Sequence, residues 1–398
     1  MELVNLSARL RALAVFRGLL SEPVVESLCT YLDCMENEWP QGVISAYAEL
    51  VSRLYQTDEG DLGKHILRVV RESENVYIRA VGRGEEPPAY MKQCVIMELE
   101  TLQEAASLTP DRLRGGLDGI GYLPDFGCTP VDLTEDYFNR AAKIGKYGWG
   151  LYAAHHMFSL DGEGRVVPVR HPDPIQLSDL LEYRRERELV LDNIRALLAG
   201  RPAANMLLTG DAGTGKSSTV KAAGNALQNE GLRVIEVRRD QLKHIPALLD
   251  ELSENPLKFI LFIDDLSFQK DDDNYSALKA VLEGSVSARS NNVILCATSN
   301  RRHIVKEKFS DRDGDEVHRN DTMQELVSLS QRFGLHITFQ KPGKNDYLSI
   351  VRALARRQGL DLPGLDSLAE RFALERGGRS PRAARQFVDS LAAGGKDG

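Results

Sequence analysis

The chain contains 398 residues, more than one typical hydrophobic core holds, so two or three domains are expected. Hydrophobic residues make up 42% and charged residues 27% of the chain, which is ordinary for a soluble globular protein. The formal net charge of −8 argues against a general nucleic-acid coat protein, although a local basic patch is compatible with it.

Cysteine usage and hydropathy predict a cytoplasmic protein with no membrane segment. The five cysteines are odd in number and form no CxxC pair, so neither a disulfide framework nor a zinc site is expected. The longest apolar run near the start, Ala12 to Phe16, ends at Arg17 and is too short for the apolar region of a signal peptide. No apolar stretch reaches the ~18 residues of a membrane helix.

The first part of the chain has the periodicity of amphipathic helices. In the segment GVISAYAELVSRLY, apolar residues recur at helical spacing at Val43, Tyr47, Leu50, Val51 and Leu54. The segments HILRVVRESENVYIRAV and CVIMELETLQEAASL show the same periodicity. We therefore predict a mostly helical N-terminal domain over residues 1–172.

A β-hairpin is predicted near residues 150–169, at the end of this N-terminal domain. Apolar residues flank a turn at Asp161 and Gly162, as two short strands joined by a tight turn require. The Pro-rich sequence HPDP that follows indicates a linker.

Beyond this linker, short apolar runs alternate with helical segments. A helical segment, LLEYRRERELVLDNIRALLAG, comes first. The runs NMLLTG, RVIEV, FILFID and VILCATS are predicted strands, with helices such as IPALLDELSEN and YSALKAVLEGSV between them. This alternation is typical of a doubly wound α/β fold with a parallel sheet. We predict this α/β core over residues 173–340 and a helical C-terminal part over residues 341–398.

A phosphate-binding loop follows the first predicted strand of the core. Its GxxxxGK[ST] pattern consists of Gly210, Gly213, Gly215, Lys216 and Ser217. Glycines let backbone N–H groups surround the phosphates, and the helix that follows adds positive potential at its N-terminus. The predicted nucleotide-binding residues are Gly210, Asp211, Ala212, Gly213, Thr214, Gly215, Lys216, Ser217 and Ser218. Lys216 would reach the β- and γ-phosphates of ATP, and Ser217 would hold Mg²⁺.

A pair of carboxylates follows the predicted strand FILFID. An acidic residue at the C-terminal tip of a buried parallel strand faces the ligand crevice of such a sheet. We predict that Asp264 is the Mg²⁺ partner and that Asp265 orients the attacking water. Glu is the commoner residue for the second role; since Asp is one methylene shorter, either the water lies closer or hydrolysis is slow.

The next strand ends in CATSNRR, and Asn300 at its tip would bind the attacking water or the γ-phosphate. Here the chain resembles the AAA+ ATPases, in which a polar residue on this strand, usually Asn, senses the γ-phosphate.

The segment ELVSLSQRFG, residues 325–334, is similar to the one that presents an arginine finger to a neighbouring subunit, and Arg332 matches the finger. The segment GRSPRAARQF, residues 378–387, resembles the start of the lid helix with the second sensor arginine. Arg382 matches that sensor, and Arg379 is a weaker candidate.

A narrower resemblance is to the bacterial DUF815 group of P-loop ATPases, whose role is uncharacterised. It is carried by TGDAGTGKSSTVKA, FILFIDDLSF, YSALKAVLEGSV, NVILCATSNRRHIV, FSDR and SLSQRFGL, and it covers roughly residues 170–390. The resemblance implies an AAA+ P-loop core with a helical lid and an Mg²⁺-dependent ATPase. It also implies a homo-oligomer in which Arg332 acts in trans on the neighbouring nucleotide, and Arg382 reports the nucleotide state.

The sequence leaves three functions open. The first is an ATPase that remodels a protein or nucleoprotein client, which the N-terminal domain would recognise. The second is a DNA-associated initiator or loader, because the Asp264–Asp265 pair resembles replication-initiator ATPases; the negative net charge and the lack of a C-terminal helix-turn-helix pattern argue against it. The third is a P-loop phosphotransferase acting on a small molecule, which would need no assembly.

Overall fold

The computed structural model describes the chain in several stretches, which form two compact units. The described residues are 2–36, 40–57, 59–115, 122–266, 278, 279, 282, 291–300 and 332–394. The first unit is Met1–Ala154 and the second is His155–Gly398; each makes most of its contacts within itself. Each unit has a hydrophobic core of its own.

The first unit is built from helices. Its described residues form ten α-helices: α1 (Glu2–Arg11), α2 (Pro23–Glu36), α3 (Pro40–Tyr55), α4 (Leu62–Glu72), α5 (Val76–Gly82), α6 (Ala89–Ala106), α7 (Pro110–Arg114), α8 (Leu133–Ala141), α9 (Ile144–Tyr147) and α10 (Leu151–Ala154). The five apolar residues predicted to share one face of α3 are all buried, none of them more than 4% exposed. Because full burial of such a side chain contributes about 1.5–3 kcal/mol, this face anchors α3 in the core.

The segment HILRVVRESENVYIRAV forms two helices rather than one continuous amphipathic stretch. Helix α4 ends at Glu72 and α5 begins at Val76. Between them, the extended backbone of Asn75 lets its side-chain Oδ1 accept a hydrogen bond of 2.9 Å from the N–H of Ile78. An Asn in this role is a helix N-cap, and it favours a new helix start over continuation of the preceding helix.

Asp61 joins two distant parts of the first unit. Its side-chain Oδ1 accepts the N–H of Lys64 at 2.9 Å, which makes it the N-cap of α4. Its Oδ2 accepts the hydroxyl of Thr129 at 2.7 Å and the N–H of the same residue at 3.0 Å. Only 7% of Asp61 is exposed, so the loss of these contacts would leave buried polar groups unsatisfied.

The second unit contains a mostly parallel sheet. Its described residues form seven strands: β1 (Met157–Leu160), β2 (Val166–Pro168), β3 (Met206–Gly210), β4 (Leu232–Glu236), β5 (Lys258–Ile263), β6 (Val293–Ser299) and β7 (Leu335–Phe339). The strand order is β2-β1-β4-β5-β6-β3-β7, and only the β1–β2 pair is antiparallel. The four strands predicted for the core, now β3 to β6, are all present, and the fold is the predicted α/β core with a mostly parallel sheet, followed by a helical C-terminal part.

Two features of this sheet differ from the sequence-based expectations. The hairpin of β1 and β2 is present, but β1 pairs with β4, so the hairpin belongs to the sheet of the second unit and not to the helical unit. Strand β7 was not predicted. Its short LHITF sequence buries only alternate residues, Ile337 and Phe339, and therefore lacks the continuous apolar run of the other core strands.

Six α-helices of the second unit lie within its described residues: α11 (Arg184–Leu198), α12 (Lys216–Leu227), α13 (Ile245–Ser253), α14 (Lys344–Arg357), α15 (Leu365–Glu375) and α16 (Pro381–Gly394). Helices α14 to α16 form the lid, and they share a core of their own that contains Tyr347, Ala369 and Phe387. Most of the predicted helix YSALKAVLEGSV lies outside the described residues. No helix in the described parts of the chain is both long enough and apolar enough to cross a membrane.

Candidate nucleotide-binding site

The loop between β3 and α12 depends on glycine at positions where the backbone packs closely. At Gly210, φ is +140°, and a Cβ would lie 2.1 Å from the carbonyl oxygen of Phe339 on the neighbouring strand. At Gly213, φ is +78°, and a Cβ would lie 2.9 Å from Cβ of Arg382 on the lid helix α16. The N–H of Arg382 donates a hydrogen bond of 3.3 Å to the carbonyl of Gly213. The loop is therefore in direct contact with the lid, and no side chain fits at these two positions.

Lys216, the first residue of α12, places its ammonium group inside this loop. Only 5% of the residue is exposed. Its Nζ donates to the carbonyls of Gly210 at 2.7 Å and Asp211 at 2.8 Å, and to Oδ1 of Asn300 at 3.0 Å. Burial lowers the pKa of the Lys216 ammonium below its usual value, although the nearby Asp264 carboxylate acts in the opposite direction. A desolvated ammonium that faces the loop is suited to bind the phosphate oxygens of a nucleotide.

Asp264 lies directly after β5 and is held through one carboxylate oxygen. Its Oδ1 accepts the hydroxyl of Ser217 at 2.6 Å, the hydroxyl of Thr298 at 2.5 Å and the N–H of Asp265 at 3.1 Å. These donors come from α12, from β6 and from the chain just after β5. The predicted metal pair, Ser217 and Asp264, is therefore in direct contact.

The chemistry of this pair fits Mg²⁺ bound together with a nucleotide. Mg²⁺ is bound in such sites through one or two protein oxygens, and phosphates and water supply the other ligands. A hydroxyl and a carboxylate 2.6 Å apart provide the protein's share. Within the described residues, no group of three or more His, Cys, Asp or Glu side chains forms a metal site made of protein ligands alone. The donor set is consistent with a nucleotide-bound Mg²⁺ and not with a preformed metal cage.

Asp265 has an unusual backbone that is held in place by its neighbours. Its φ is +51°, in the left-handed region, which costs about 1–2 kcal/mol for a residue with a Cβ. Its N–H donates to the hydroxyl of Thr298 at 2.9 Å, and its Oδ1 accepts the side-chain N–H of Asn300 at 2.7 Å. Strained backbone that is fixed from several sides is common at functional sites.

The sheet topology explains why these groups converge. Strands β5, β6 and β3 are adjacent and parallel, so their carboxyl ends meet at one edge of the sheet. Asp264 and Asp265 follow β5, Asn300 follows β6, and the loop that leads to Lys216 follows β3. Residues that are distant in sequence thereby share one crevice, which is the ligand position expected in an open parallel sheet.

The crevice opens into a cavity of ≈ 440 Å³ between the sheet edge and the lid. Loop residues 212–218, both carboxylates, Asn300 and Arg382 line the cavity. A volume of this size is typical of small-molecule and cofactor sites. The cavity also has apolar walls, formed by Ile175, Leu180, Leu181, Ile350 and Leu354.

These apolar walls were not predicted from the sequence. The segment Leu180 to Glu182, predicted as helix, lines the cavity instead, and α11 begins only at Arg184 after Tyr183 with φ of +60°. Two hydrogen bonds of 2.8 Å from the Asn225 side chain to the backbone carbonyls of residues 173 and 175 attach the chain that leads to this segment to α12. No periodicity marks Leu180 and Leu181 as wall residues, because the chain before α11 is irregular there, and nothing in the sequence shows that Ile350 and Leu354 of α14 face the same cavity.

The two lid arginines considered from the sequence have different surroundings. Arg382 lines the cavity, and its positive charge is among the causes that lower the pKa of Lys216. Arg379 forms a two-point ion pair with Glu370 of α15, with N–O distances of 2.8 and 2.6 Å. Arg385, one turn after Arg382 on α16, also lines the cavity and was missed in the sequence.

Arg332 does not line the cavity. It lies just before β7, whose first residue, Leu335, pairs with Met206 at the start of β3, whereas Phe339 pairs with Gly210 at the end. Four residue steps at about 3.3 Å each put roughly 13 Å of strand between Leu335 and the loop edge of the sheet. Arg332 therefore lies near the amino ends of the strands, whereas the loop with Lys216 lies at their carboxyl ends. The rest of its predicted finger segment, residues 325–331, lies outside the described residues.

Comparison with solved structures finds only distant similarity. The structure described as the Thermotoga maritima RuvB Holliday junction branch migration motor is 17% identical, with a TM-score of 0.38, over 56% of this chain and 67% of that chain. A point mutant of the same protein is 16% identical, with a TM-score of 0.38, over 57% of this chain and 69% of that chain. No curated protein matches the chain.

Comparison with protein families gives a match over most of the second unit. The family described as "Protein of unknown function (DUF815)" matches residues 153–395. This range begins next to the boundary between the two compact units and includes the phosphate loop, both carboxylates, Asn300 and the lid. Because the match covers more than half of the chain, the protein belongs to the DUF815 family.

Proposed function

We propose that this protein is an Mg²⁺-dependent ATPase of the AAA+ type that works as a homo-oligomer. The observation that carries the proposal is the convergence of Lys216, Ser217, Asp264, Asp265 and Asn300 in one cavity at the carboxyl ends of adjacent parallel strands. A phosphate loop alone would indicate only binding. Hydrolysis also needs a group that orients the attacking water and a group that senses the γ-phosphate. Asp265 and Asn300, beside the metal pair, would supply these two groups.

The binding step uses the loop and the apolar walls. ATP would place its phosphates in the loop, where the N-terminus of α12 and the Lys216 ammonium neutralise their charge. Its base would lie against the apolar walls between the segment before α11 and helix α14. Ser217 and Asp264 would hold Mg²⁺, which when bound neutralises charge on the phosphate oxygens.

The hydrolysis step uses Asp265 and Asn300. The Asp265 carboxylate would accept a hydrogen bond from water and orient it for in-line attack on the γ-phosphorus. The Asn300 amide already donates to Asp265 and accepts from Lys216, so it connects the water-orienting group with the phosphate-binding group. Arg382, and Arg385 beside it, would bring the lid towards the nucleotide as a cationic wall.

The oligomer completes the site. Arg332, at the sheet edge opposite the loop, is placed unsuitably for the nucleotide of its own subunit. We propose that it acts as an arginine finger on the nucleotide of a neighbouring subunit, which can accelerate hydrolysis by roughly 10³–10⁵-fold. The first unit would recognise a protein or nucleoprotein client, and the protein would act in the cytoplasm.

Separation of binding from turnover tests the proposal. We expect Lys216→Ala to weaken ATP binding by about a hundredfold or more, because several charge-assisted hydrogen bonds are lost together. Asp265→Asn should keep ATP affinity within a few-fold and lower turnover by roughly 10²–10⁴-fold, as loss of a general base does. Asp240→Asn, which neutralises an aspartate with a 73% exposed side chain, is the matched control and should leave both quantities unchanged.

Calorimetry would measure ATP affinity, and release of inorganic phosphate would measure turnover. Equal loss of ATP binding in the Lys216 and Asp265 variants would contradict the separate roles. Phosphate release that occurs only after a small-molecule acceptor is added would favour the phosphotransferase alternative. Turnover that appears only with DNA would favour the initiator or loader alternative.

A further inference from the structure

Thr298 contacts both acidic residues of the site. It lies on β6, two residues before Asn300, and is 1% exposed. Its hydroxyl donates to Oδ1 of Asp264 at 2.5 Å and accepts the N–H of Asp265 at 2.9 Å. Its backbone carbonyl accepts the N–H of Leu266 at 2.7 Å. One residue of β6 therefore holds three consecutive residues after β5.

We propose that Thr298 is a positioning residue for hydrolysis, an inference that rests on the proposed ATPase function. The single hydroxyl hydrogen of Thr298 goes to Asp264, and a lone pair of the same oxygen accepts from Asp265. The hydroxyl thereby holds the side chain of Asp264, assigned to the metal, and the backbone of Asp265, assigned to the water, in a fixed position relative to each other. A residue without a hydroxyl would fix neither.

The left-handed backbone of Asp265 explains why this relation needs a restraint. A residue with φ of +51° moves to an ordinary conformation unless its neighbours hold it. Such a move changes the position of the side chain relative to the N–H, so the contacts of Asp265 with Thr298 and Asn300 could not both be kept. Thr298 binds the N–H of Asp265, and Asn300 binds its carboxylate. The backbone and the side chain of Asp265 therefore both depend on residues at the carboxyl end of β6.

The proposal also predicts an effect on the metal. Oδ1 of Asp264 accepts hydrogen bonds from Ser217, Thr298 and Asp265, so these three donors together set the orientation of the carboxylate that would hold Mg²⁺. Loss of the Thr298 donor would remove one of these restraints and leave the orientation of the Asp264 carboxylate less fixed. The affinity of ATP should then depend differently on Mg²⁺, whereas its affinity without the metal should not change.

The experiment compares Thr298→Val, which keeps the shape and removes the hydroxyl, with Thr298→Ser, which keeps the hydroxyl. We expect Thr298→Val to lower kcat by about ten- to a hundredfold, the effect of losing a hydrogen bond to a charged group, and to raise the KM for ATP in the presence of Mg²⁺ by about tenfold. Calorimetric ATP affinity should fall by about tenfold with Mg²⁺ and stay unchanged with EDTA. Thr298→Ser should restore these values to within about threefold of wild type.

Thr209→Val is the matched control, since it removes a buried strand hydroxyl that contacts Thr338 at 3.0 Å and neither carboxylate. It should change thermal stability without changing the Mg²⁺ dependence. If Thr298→Val does not fold, the pair Thr298→Ser and Thr298→Ala gives the same comparison, because those two variants differ by one hydroxyl.

Wild-type kcat together with wild-type Mg²⁺-dependent affinity in the Val or Ala variant would overturn the proposal. Equal losses in the Ser variant would also overturn it, because the hydroxyl would then not be the active feature. If the wild-type protein binds ATP without hydrolysing it, the ATPase function fails, and the calorimetric comparison with and without Mg²⁺ still decides the role of Thr298.

Discussion

The side-chain amide of Asn300 donates a hydrogen bond of 2.7 Å to the carboxylate of Asp265. The same amide accepts one of 3.0 Å from Lys216. The tip of β6 therefore connects the end of β5 with the phosphate loop after β3. The Asn300 side chain thus connects Lys216 of the phosphate loop directly with the Asp265 carboxylate, which we propose orients the attacking water.

Replacement of Asn300 by alanine should uncouple these groups. We expect kcat for ATP hydrolysis to fall by roughly 10–10²-fold, the effect of losing one preorganised hydrogen-bond donor, while ATP affinity stays within about fivefold. Asn300→Asp should lower kcat at least as far, because it replaces the donor by a negative charge beside Asp265. Steady-state phosphate release and calorimetry measure the two effects, and an alanine variant with wild-type kcat would remove Asn300 from the mechanism.

If Arg332 acts in trans as proposed, ATPase activity should depend on assembly of the oligomer. Arg332→Ala should keep ATP affinity and lose turnover by about 10³-fold or more. Specific activity of the wild-type protein should rise with protein concentration over the range in which sedimentation detects oligomers. Constant activity per molecule down to concentrations at which only monomer is present would contradict the shared site.

A mixing experiment tests the same finger in a second way. Arg332→Ala and Asp265→Asn subunits are each expected to be inactive alone. In a mixed oligomer, some junctions would combine an intact Asp265 with an intact Arg332 from the next subunit. Activity should therefore reappear on mixing, and a mixture as inactive as its components would mean that both residues act within one subunit.

Of the two lid arginines, Arg382 should contribute to ATP binding and turnover, and Arg379 should not. Arg382→Ala should weaken ATP binding and turnover, each by about tenfold, because one charge-assisted contact to phosphate is lost. Arg379→Ala should leave ATP affinity within about twofold, because its guanidinium is paired with Glu370 away from the cavity. Titration of both variants with ATP checks this difference, and a larger effect at Arg379 would reverse the assignment.

Truncation should reveal where the nucleotide-binding unit begins. A chain that starts at His155 keeps β1 and β2 on the sheet and should fold and bind ATP. A chain that starts at Pro174 lacks both strands and exposes the edge of β4, so we expect it to be less stable and to aggregate. Circular dichroism, light scattering and calorimetry compare the two chains, and equal behaviour would mean that the hairpin is dispensable.

Asp61 should make the stability of the first unit depend on pH. Burial opposes ionisation, but hydrogen bonds from Lys64 and Thr129 outweigh it and hold the pKa of the Asp61 carboxyl below its usual value. Because the folded pKa is the lower one, the stabilisation is present above the unfolded pKa of about 3.9 and is lost as the pH falls towards the folded value. At pH 7, Asp61→Ala should lower the free energy of unfolding by about 2 kcal/mol.

Thermal unfolding at pH 7 and at pH 3 would measure this effect. The difference between wild type and Asp61→Ala should shrink at the lower pH. Asp111→Ala, at a residue with a 98% exposed side chain, is the control and should change the free energy of unfolding by less than about 0.5 kcal/mol. A difference for Asp61→Ala that does not vary with pH would mean that the charge of Asp61 contributes nothing.

The sequence predicts the residues at the candidate site's edge of the sheet because its signals are local. Strands β3, β5 and β6 are continuous apolar runs, and the residue types needed for phosphate and metal binding follow each run directly. The strand ends then converge because parallel strands share an edge. The predicted positions of Lys216, Ser217, Asp264, Asp265 and Asn300 relative to one another thus follow from secondary structure alone.

Other parts of the site depend on packing that no local pattern encodes. Thr298 is a β-branched residue inside a buried strand and looks like any other strand residue until its neighbours are known. The apolar walls come from Leu180, Leu181 and helix α14, which are more than 150 positions apart in sequence. The break between α4 and α5 required recognition of Asn75 as a cap within an otherwise periodic segment.

The contact between Gly213 and Arg382 has a consequence for the evolution of this family. A side chain at position 213 would collide with Cβ of residue 382, so the loop tolerates a larger residue only if the lid helix shifts or itself changes. The two positions, one in the phosphate loop and one in the lid, are therefore expected to vary together among homologous sequences. Homologues with a residue other than glycine at position 213 should carry a lid whose first turn is displaced.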